Sequence, residues 1–270
     1  MNKLMQRIVT AVVLLAVLLI VFFVLPRPAA VGGLGLFIVI AAWEWSGFLA
    51  LNTLFRRSAY VCLVLAMMVL SIWIFPDYVP LSPLLFVSLL WWLCAFILVV
   101  RYPFPIRRDL GAVCGVLVII PAWVALVVLL GTGEDGPKYV LLVLSIVWAA
   151  DIGAYFFGRR LGRTKLAPQV SPGKTWEGLI GGLFAATCAG LLGSWLLGLP
   201  AAFLVPVALS VAAISVIGDL TVSMFKRNAR LKDSGNLFPG HGGVLDRVDS
   251  ITAAVPLFAL EASWIGLIGN

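Results

Sequence analysis

The side chains able to do chemistry gather in two polar stretches of the C-terminal half. The richer one runs from Asp219 to Asp249 and reads DLTVSMFKRNARLKDSGNLFPGHGGVLDRVD. Taken as a continuing helix, positions 219, 223, 226 and 230 set Asp219, Ser223, Lys226 and Arg230 along one face. Asp219 then lies about 10 Å deeper along the axis than Lys226. After Lys232 and Asp233, the run of Gly235, Pro239, Gly240, Gly242 and Gly243 demands a loop. Helix resumes at Val244, which puts Asp246 and Asp249 one turn apart. Carboxylates without cysteine or paired histidine suit a hard cation such as Mg²⁺, which keeps waters while bridging to substrate phosphates. Asp219, Asp246 and Asp249 are therefore expected to hold magnesium, with a second cation left open, and Lys226, Arg227, Lys232 and Arg247 to bind phosphate oxygens. His241 is the sole histidine, and the Gly242-Gly243 that follows permits close approach to a ligand. A lone histidine makes no metal site. The plain alternative is a solvated loop of mutually paired acids and bases, and it leaves an intramembrane Asp219 unexplained.

The second stretch contains Asp151-Ile-Gly-Ala-Tyr, Lys165-Leu-Ala-Pro and Ser171-Pro-Gly-Lys-Thr-Trp-Glu-Gly. Asp151 precedes Arg159 by eight residues, hence about 12 Å of helix. At that depth an ionisable group is costly unless it faces water, a cation or a partner; a packing role beside a neighbouring span is the alternative. Gly173-Lys174-Thr175 suggests a phosphate-binding P-loop, but Pro168 stands where that motif needs glycine. Ser171 is instead expected to cap a helix with Pro172 at its first position, leaving Lys174 in the first turn to meet phosphate. Gly178 and Gly182, four apart, suit close helix packing.

The elements that must position these groups follow from composition. Of 270 residues 62% are apolar and 11% charged, with a mean hydropathy of +1.10. Such a chain is neither a soluble enzyme, a disordered protein nor a nucleic-acid-binding domain. A bilayer core needs about 20 apolar residues per helix, and such runs occur near 8–25, 29–50, 59–76, 82–100, 111–131, 138–157, 178–198, 201–221 and 251–268. The expected fold is an all-α, polytopic membrane bundle of about nine spans. The first run is too long for a secretion signal and lacks a small-residue cleavage site, so it reads as a retained helix. With a cytoplasmic N-terminus, Lys3, Arg7, Arg56, Arg57, Arg101, Arg107, Arg108 and both basic clusters share one side. Only Arg27 and Lys138 fall opposite. Cys62, Cys94, Cys114 and Cys188 lie in apolar runs and read as packing residues. Residues 1–131 then form a scaffold, and 132–270 a catalytic region with cytoplasmic segments 158–177 and 222–250.

The polar stretches resemble the signature of the phosphatidate cytidylyltransferases, or CDP-diacylglycerol synthases. Ser223, Phe225-Lys226-Arg227, Lys232-Asp233, Gly235, Phe238-Pro239, His241-Gly242-Gly243-Val244 and Asp246-Arg247-Val248-Asp249 stand where that family's pattern asks, across 27 positions. Gly153-Ala154-Tyr155, Lys165 to Pro168 and Ser171 to Gly178 are also similar; Ile152 departs, where a threonine is expected. Residues 1–131 match only as apolar helices. The resemblance implies a CTP- and phosphatidic acid-dependent transferase, with a homodimer in a bacterial inner membrane and its site facing the cytoplasm. Besides the acidic trio and Lys226, it implies that Asp151, Ser171, Lys174, Ser223, Arg227, Lys232, Asp233, His241 and Arg247 bind substrates. An ion-coupled transporter is the rival reading, since Glu44 and Glu261 also lie in apolar runs, and neither receives a role here. Transporter sites favour the midplane and repeat symmetry, whereas these charges gather at one face. The Asp-x-x-Asp-Gly-x-x-Ala-Arg pattern of the CDP-alcohol transferases is absent.

Overall fold

The computed structural model describes residues 16–51, 53–74, 81–237 and 242–268. His241, Phe238 and Pro239, named above, and most of the expected break around Pro76 and Pro80, lie outside them. Nine helices appear among the described residues. The described part of α1 is 16–23. It is followed by α2 (Arg27–Phe48), α3 (Leu54–Ile74), α4 (Ser82–Arg101), α5 (Arg108–Leu130) and α6 (Gly136–Leu161), then α7 (Trp176–Leu197), α8 (Ala201–Asn228) and α9 (Leu245–Trp264). Helices α2 to α8 are each long and apolar enough to cross a bilayer. The α9 helix is shorter of apolar character because it carries Asp246, Arg247, Asp249 and Glu261. The chain is an integral membrane helical bundle, as its composition requires.

Among the described residues, the strands form one small hairpin between α6 and α7. Strand β1 (Lys165–Ala167) pairs antiparallel with β2 (Ser171–Thr175), Lys165 opposite Thr175 and Ala167 opposite Ser171. The expected helix start at Ser171 is therefore corrected. Extended backbone suits Pro172, Ser171 is taken up by the strand pairing, and α7 begins four residues later. There Thr175 is the cap, its hydroxyl oxygen accepting from the Gly178 N–H at 3.1 Å. Two further bonds pin the hairpin: Trp176 N–H to the Thr164 carbonyl at 3.0 Å and Thr164 N–H to the Glu177 carboxylate at 3.1 Å. Helix α8 runs on past its apolar span 201–221 to Asn228, as the continuing-helix reading of Asp219, Ser223 and Lys226 expects, while Arg230 has left the helix with φ of 56°. Arg230 is thus not on the face shared by Asp219, Ser223 and Lys226.

Small residues set the helix spacing, because lipid gives apolar helices no hydrophobic reason to associate and close backbone packing must do so. A Cβ on Gly153 of α6 would lie 2.6 Å from the Gly181 carbonyl oxygen, and one on Gly182 of α7 would lie 2.8 Å from that of Ala150. These contacts join α6 and α7. At the α8–α9 crossing, a Cβ on Gly218 would meet the Asp249 carbonyl oxygen at 2.6 Å. Gly218 immediately precedes Asp219, so this approach brings two acidic positions from different helices together. Helix α5 sits at the centre, packed against α2, α3, α4, α6 and α9.

Candidate active site

The polar residues converge where α6, the hairpin, α8 and α9 meet. Asp219 projects from α8; its carboxylate receives the Lys174 ammonium at 2.7 Å and the Ser223 hydroxyl at 3.2 Å. Helical spacing of four explains the Ser223 bond, and the hairpin explains Lys174: in β2 rather than in a first helical turn, it reaches across to α8. About two turns above, Lys226 donates to Asp246 at 2.6 Å, and these side chains are only 11% and 10% exposed. The other Asp246 oxygen accepts from the backbone N–H groups of Ser234 at 2.8 Å and Gly243 at 3.1 Å.

Asp249 is buried on α9, where one carboxylate oxygen accepts the Ser250 N–H at 2.8 Å. It lies within electrostatic reach of Asp219, Lys226 and Lys174. Asp151 on α6 feels Lys174 and Asp219 in turn. The result is one alternating array. Asp246 faces Lys226, Lys226 faces Asp219 and Asp249, and Lys174 links Asp219 to Asp151. Four carboxylates thus surround two ammonium groups, an excess of two negative charges when all are ionised.

The structure divides the acidic trio expected from the sequence. Asp219 and Asp249 act on each other across α8 and α9, whereas Asp246 is committed to Lys226 and the loop amides. Among the described residues no group of three or more acidic, histidine or cysteine side chains is gathered to hold a metal ion. The donors around Asp219 and Asp249 are nevertheless all oxygen, which fits a hard divalent cation and not zinc.

Of the other expected site residues, Ser171 and Lys174 share the hairpin strand, and Ser223 is buried one turn above Asp219. The Arg227 guanidinium donates to the Val170 carbonyl at 3.4 Å, fastening the end of α8 to the hairpin turn. Lys232 and Asp233 are exposed and form no ion pair among the described residues. Arg247 is exposed on α9 at the edge of an apolar cavity of about 540 Å³. Leu34 and Phe37 of α2, Leu126 of α5, Trp148 of α6 and Ile251 of α9 line that cavity.

One residue at the site stands out in the sequence only as an acid in an apolar run, without a role. Glu44 of α2 is buried against the loop before α9, where its carboxylate accepts from Ser234, Val244 and Leu245. Glu261, the second unassigned acid, accepts from the Ser210 hydroxyl at 2.7 Å and joins α9 to α8 away from the array.

A membrane bundle that gathers lysines and carboxylates between its helices has the charge that a membrane transferase of phosphate-bearing substrates needs. The family model for the cytidylyltransferases matches residues 5–263, and the chain belongs to that family. A phosphatidate cytidylyltransferase of Pseudomonas aeruginosa is 43% identical, across 94% of this chain and 95% of that protein. One from Haemophilus influenzae is 37% identical, across 94% and 96%. A third, from Brucella suis, reaches 50% identity over half of this chain. Nothing in these relatives favours a transporter.

Proposed function

We propose that the protein transfers the CMP group of CTP to phosphatidic acid, yielding CDP-diacylglycerol and pyrophosphate. The lysine–carboxylate array carries this reading. Two polyanions must meet, and Lys174 and Lys226 stand where they can exchange an aspartate partner for phosphate oxygen. An oxygen of the lipid phosphate attacks the α-phosphorus of CTP. As the new P–O bond forms, the bond to the bridging oxygen between the α- and β-phosphates breaks, and pyrophosphate departs. A phosphate nucleophile is already ionised at neutral pH, so no side-chain base is required. Positioning and charge neutralisation supply the catalysis.

Asp219 and Asp249 are the groups suited to hold Mg²⁺, which characteristically takes one or two carboxylates and completes its shell from water and substrate phosphate. When bound, the ion supplies positive charge to the phosphate oxygens of the leaving group. The cavity beside Arg247 suits the acyl chains, with the guanidinium at its edge suited to the lipid phosphate. The gathering of Lys and Arg at one end of the helices supports a cytoplasmic site in an inner membrane, where CTP is available. The family resemblance also implies a homodimer, which cross-linking in membranes tests. The decisive experiment supplies purified protein with cytidine-labelled CTP, phosphatidic acid and Mg²⁺. Label should move into the lipid fraction with release of pyrophosphate, and failure to form labelled lipid by folded protein refutes the reading.

A further inference from the structure

The structure assigns Glu44 as the residue that positions the catalytic loop, a role that rests on the transferase reading above. Glu44 lies on α2, in the half of the chain without functional motifs, and is 6% exposed. Its Oε1 accepts the Val244 N–H at 2.9 Å. Its Oε2 accepts the Leu245 N–H at 2.8 Å and the Ser234 hydroxyl at 2.7 Å. Helix α9 has no side-chain cap of its own at Val244, where the backbone is already helical. The first N–H groups of a helix have no partner within it, and a carboxylate there also opposes the positive end of the helix dipole. Glu44 supplies that cap from a different helix, with Asp246 taking the preceding Gly243 N–H at 3.1 Å.

Ser234 turns this cap into a positioning device. Its hydroxyl donates to Glu44 while its own N–H donates to Asp246 Oδ2 at 2.8 Å. The other Asp246 oxygen holds Lys226. A continuous chain therefore runs from Glu44 through Ser234 and Asp246 to the Lys226 ammonium. The approach is close enough to dictate sequence, since a Cβ at either Gly235 or Gly243 would collide with the Glu44 carboxylate. The α2 backbone that presents Glu44 is itself fixed by the next residue. Trp45 packs on Phe225 of α8 with ring centroids 4.8 Å apart and donates its indole N–H to the Gly111 carbonyl at 3.0 Å.

Steady-state kinetics of Glu44→Gln, Ser234→Ala and the double variant, in the full-length protein below its melting temperature, test this role. Glu44→Gln puts an amide donor against backbone donors and should lower kcat by about tenfold to a hundredfold. The KM values for CTP and phosphatidic acid should stay within about twofold, because Glu44 touches neither substrate. Ser234→Ala should lower kcat by about two- to tenfold, the worth of one hydrogen bond. The double variant should resemble Glu44→Gln alone, since the Ser234 hydroxyl acts through Glu44, and Glu44→Asp, which keeps the charge, should recover part of the loss. If Glu44→Gln does not fold, Ser234→Ala carries the test by itself: unchanged kcat overturns the assignment. Wild-type kcat in Glu44→Gln, a rise in KM with kcat retained, or independent effects in the double variant likewise overturn it. Absence of labelled lipid from the wild-type protein instead defeats the transferase reading and is read from a separate sample.

Discussion

The Lys226–Asp246 pair makes an asymmetric prediction that can be worked from its surroundings. Both side chains are about nine-tenths enclosed, at a separation of 2.6 Å. Lys226 also acts on Asp219 and Asp249. Replacing it with methionine strands the Asp246 carboxylate without its cation and removes a positive charge that acts on Asp219 and Asp249. Removing one partner of a buried pair costs about 3–5 kcal/mol, and the adjoining acids place Lys226→Met at the upper end. Asp246→Asn leaves Lys226 the carboxylates of Asp219 and Asp249 to act on. It forfeits one charge-assisted bond and weakens the loop anchors, about 2–3 kcal/mol in total. Lys226→Met should therefore be the more destabilising single change, and Asp246→Asn added to it should restore about 1–2 kcal/mol. Reversible unfolding in mixed detergent–SDS micelles measures all four corners of the cycle. A coupling energy below about 0.5 kcal/mol, or greater damage from Asp246→Asn, refutes this account of the array. Turnover is a separate readout, and every corner but the wild type should have lost at least about a hundredfold in kcat.

Three other perturbations probe the geometry. Gly218→Ala would press a methyl group onto the Asp249 carbonyl oxygen, 2.6 Å away; prising α8 from α9 should depress kcat more than tenfold while leaving a folded protein by circular dichroism. Leu126→Trp fills part of the apolar cavity and should raise KM for long-chain phosphatidic acid more than for a short-chain analogue, with KM for CTP unchanged. Thr175→Ala removes the α7 cap and should cost about 1 kcal/mol, read as a lowered unfolding midpoint.

What the sequence reveals follows the range of the physics involved. Spans were legible because some 20 apolar residues in a row have few other uses, and α2 to α8 lie close to their expected positions. Helix ends were less so. The α8 helix continues through Lys226 and Arg227 because cations at a helix C-terminus favour its dipole, and apolarity alone does not register that. The hairpin escaped notice because Lys165–Ala167 and Ser171–Thr175 are short and alternate only weakly. Its consequence was large, since it moved Lys174 from a helix start to the Asp219 carboxylate. The Asp246–Asp249 spacing was read correctly as one turn, yet one turn does not say that the two acids face different partners.

Glu44 shows the limit most sharply. Its ligands Ser234, Val244 and Leu245 lie 190 to 201 residues away, so no local pattern links them. The sequence traces are an acid inside an apolar run, which marks Glu44 without assigning it a partner, and the glycines at 235 and 243, whose missing side chains make room for its carboxylate. A division of the chain into an inert first half and a working second half thus conceals a dependence. The segment between α8 and α9 is rich in polar residues and glycine, and its described residues lie in no helix or strand. Conformational entropy opposes any single arrangement of such a segment. A buried carboxylate from a neighbouring helix can select one arrangement, because it binds several loop donors at once and leaving it would strand a charge in apolar surroundings. The scaffold helices therefore contribute more than a wall against lipid: through Glu44 they help determine where Lys226 stands.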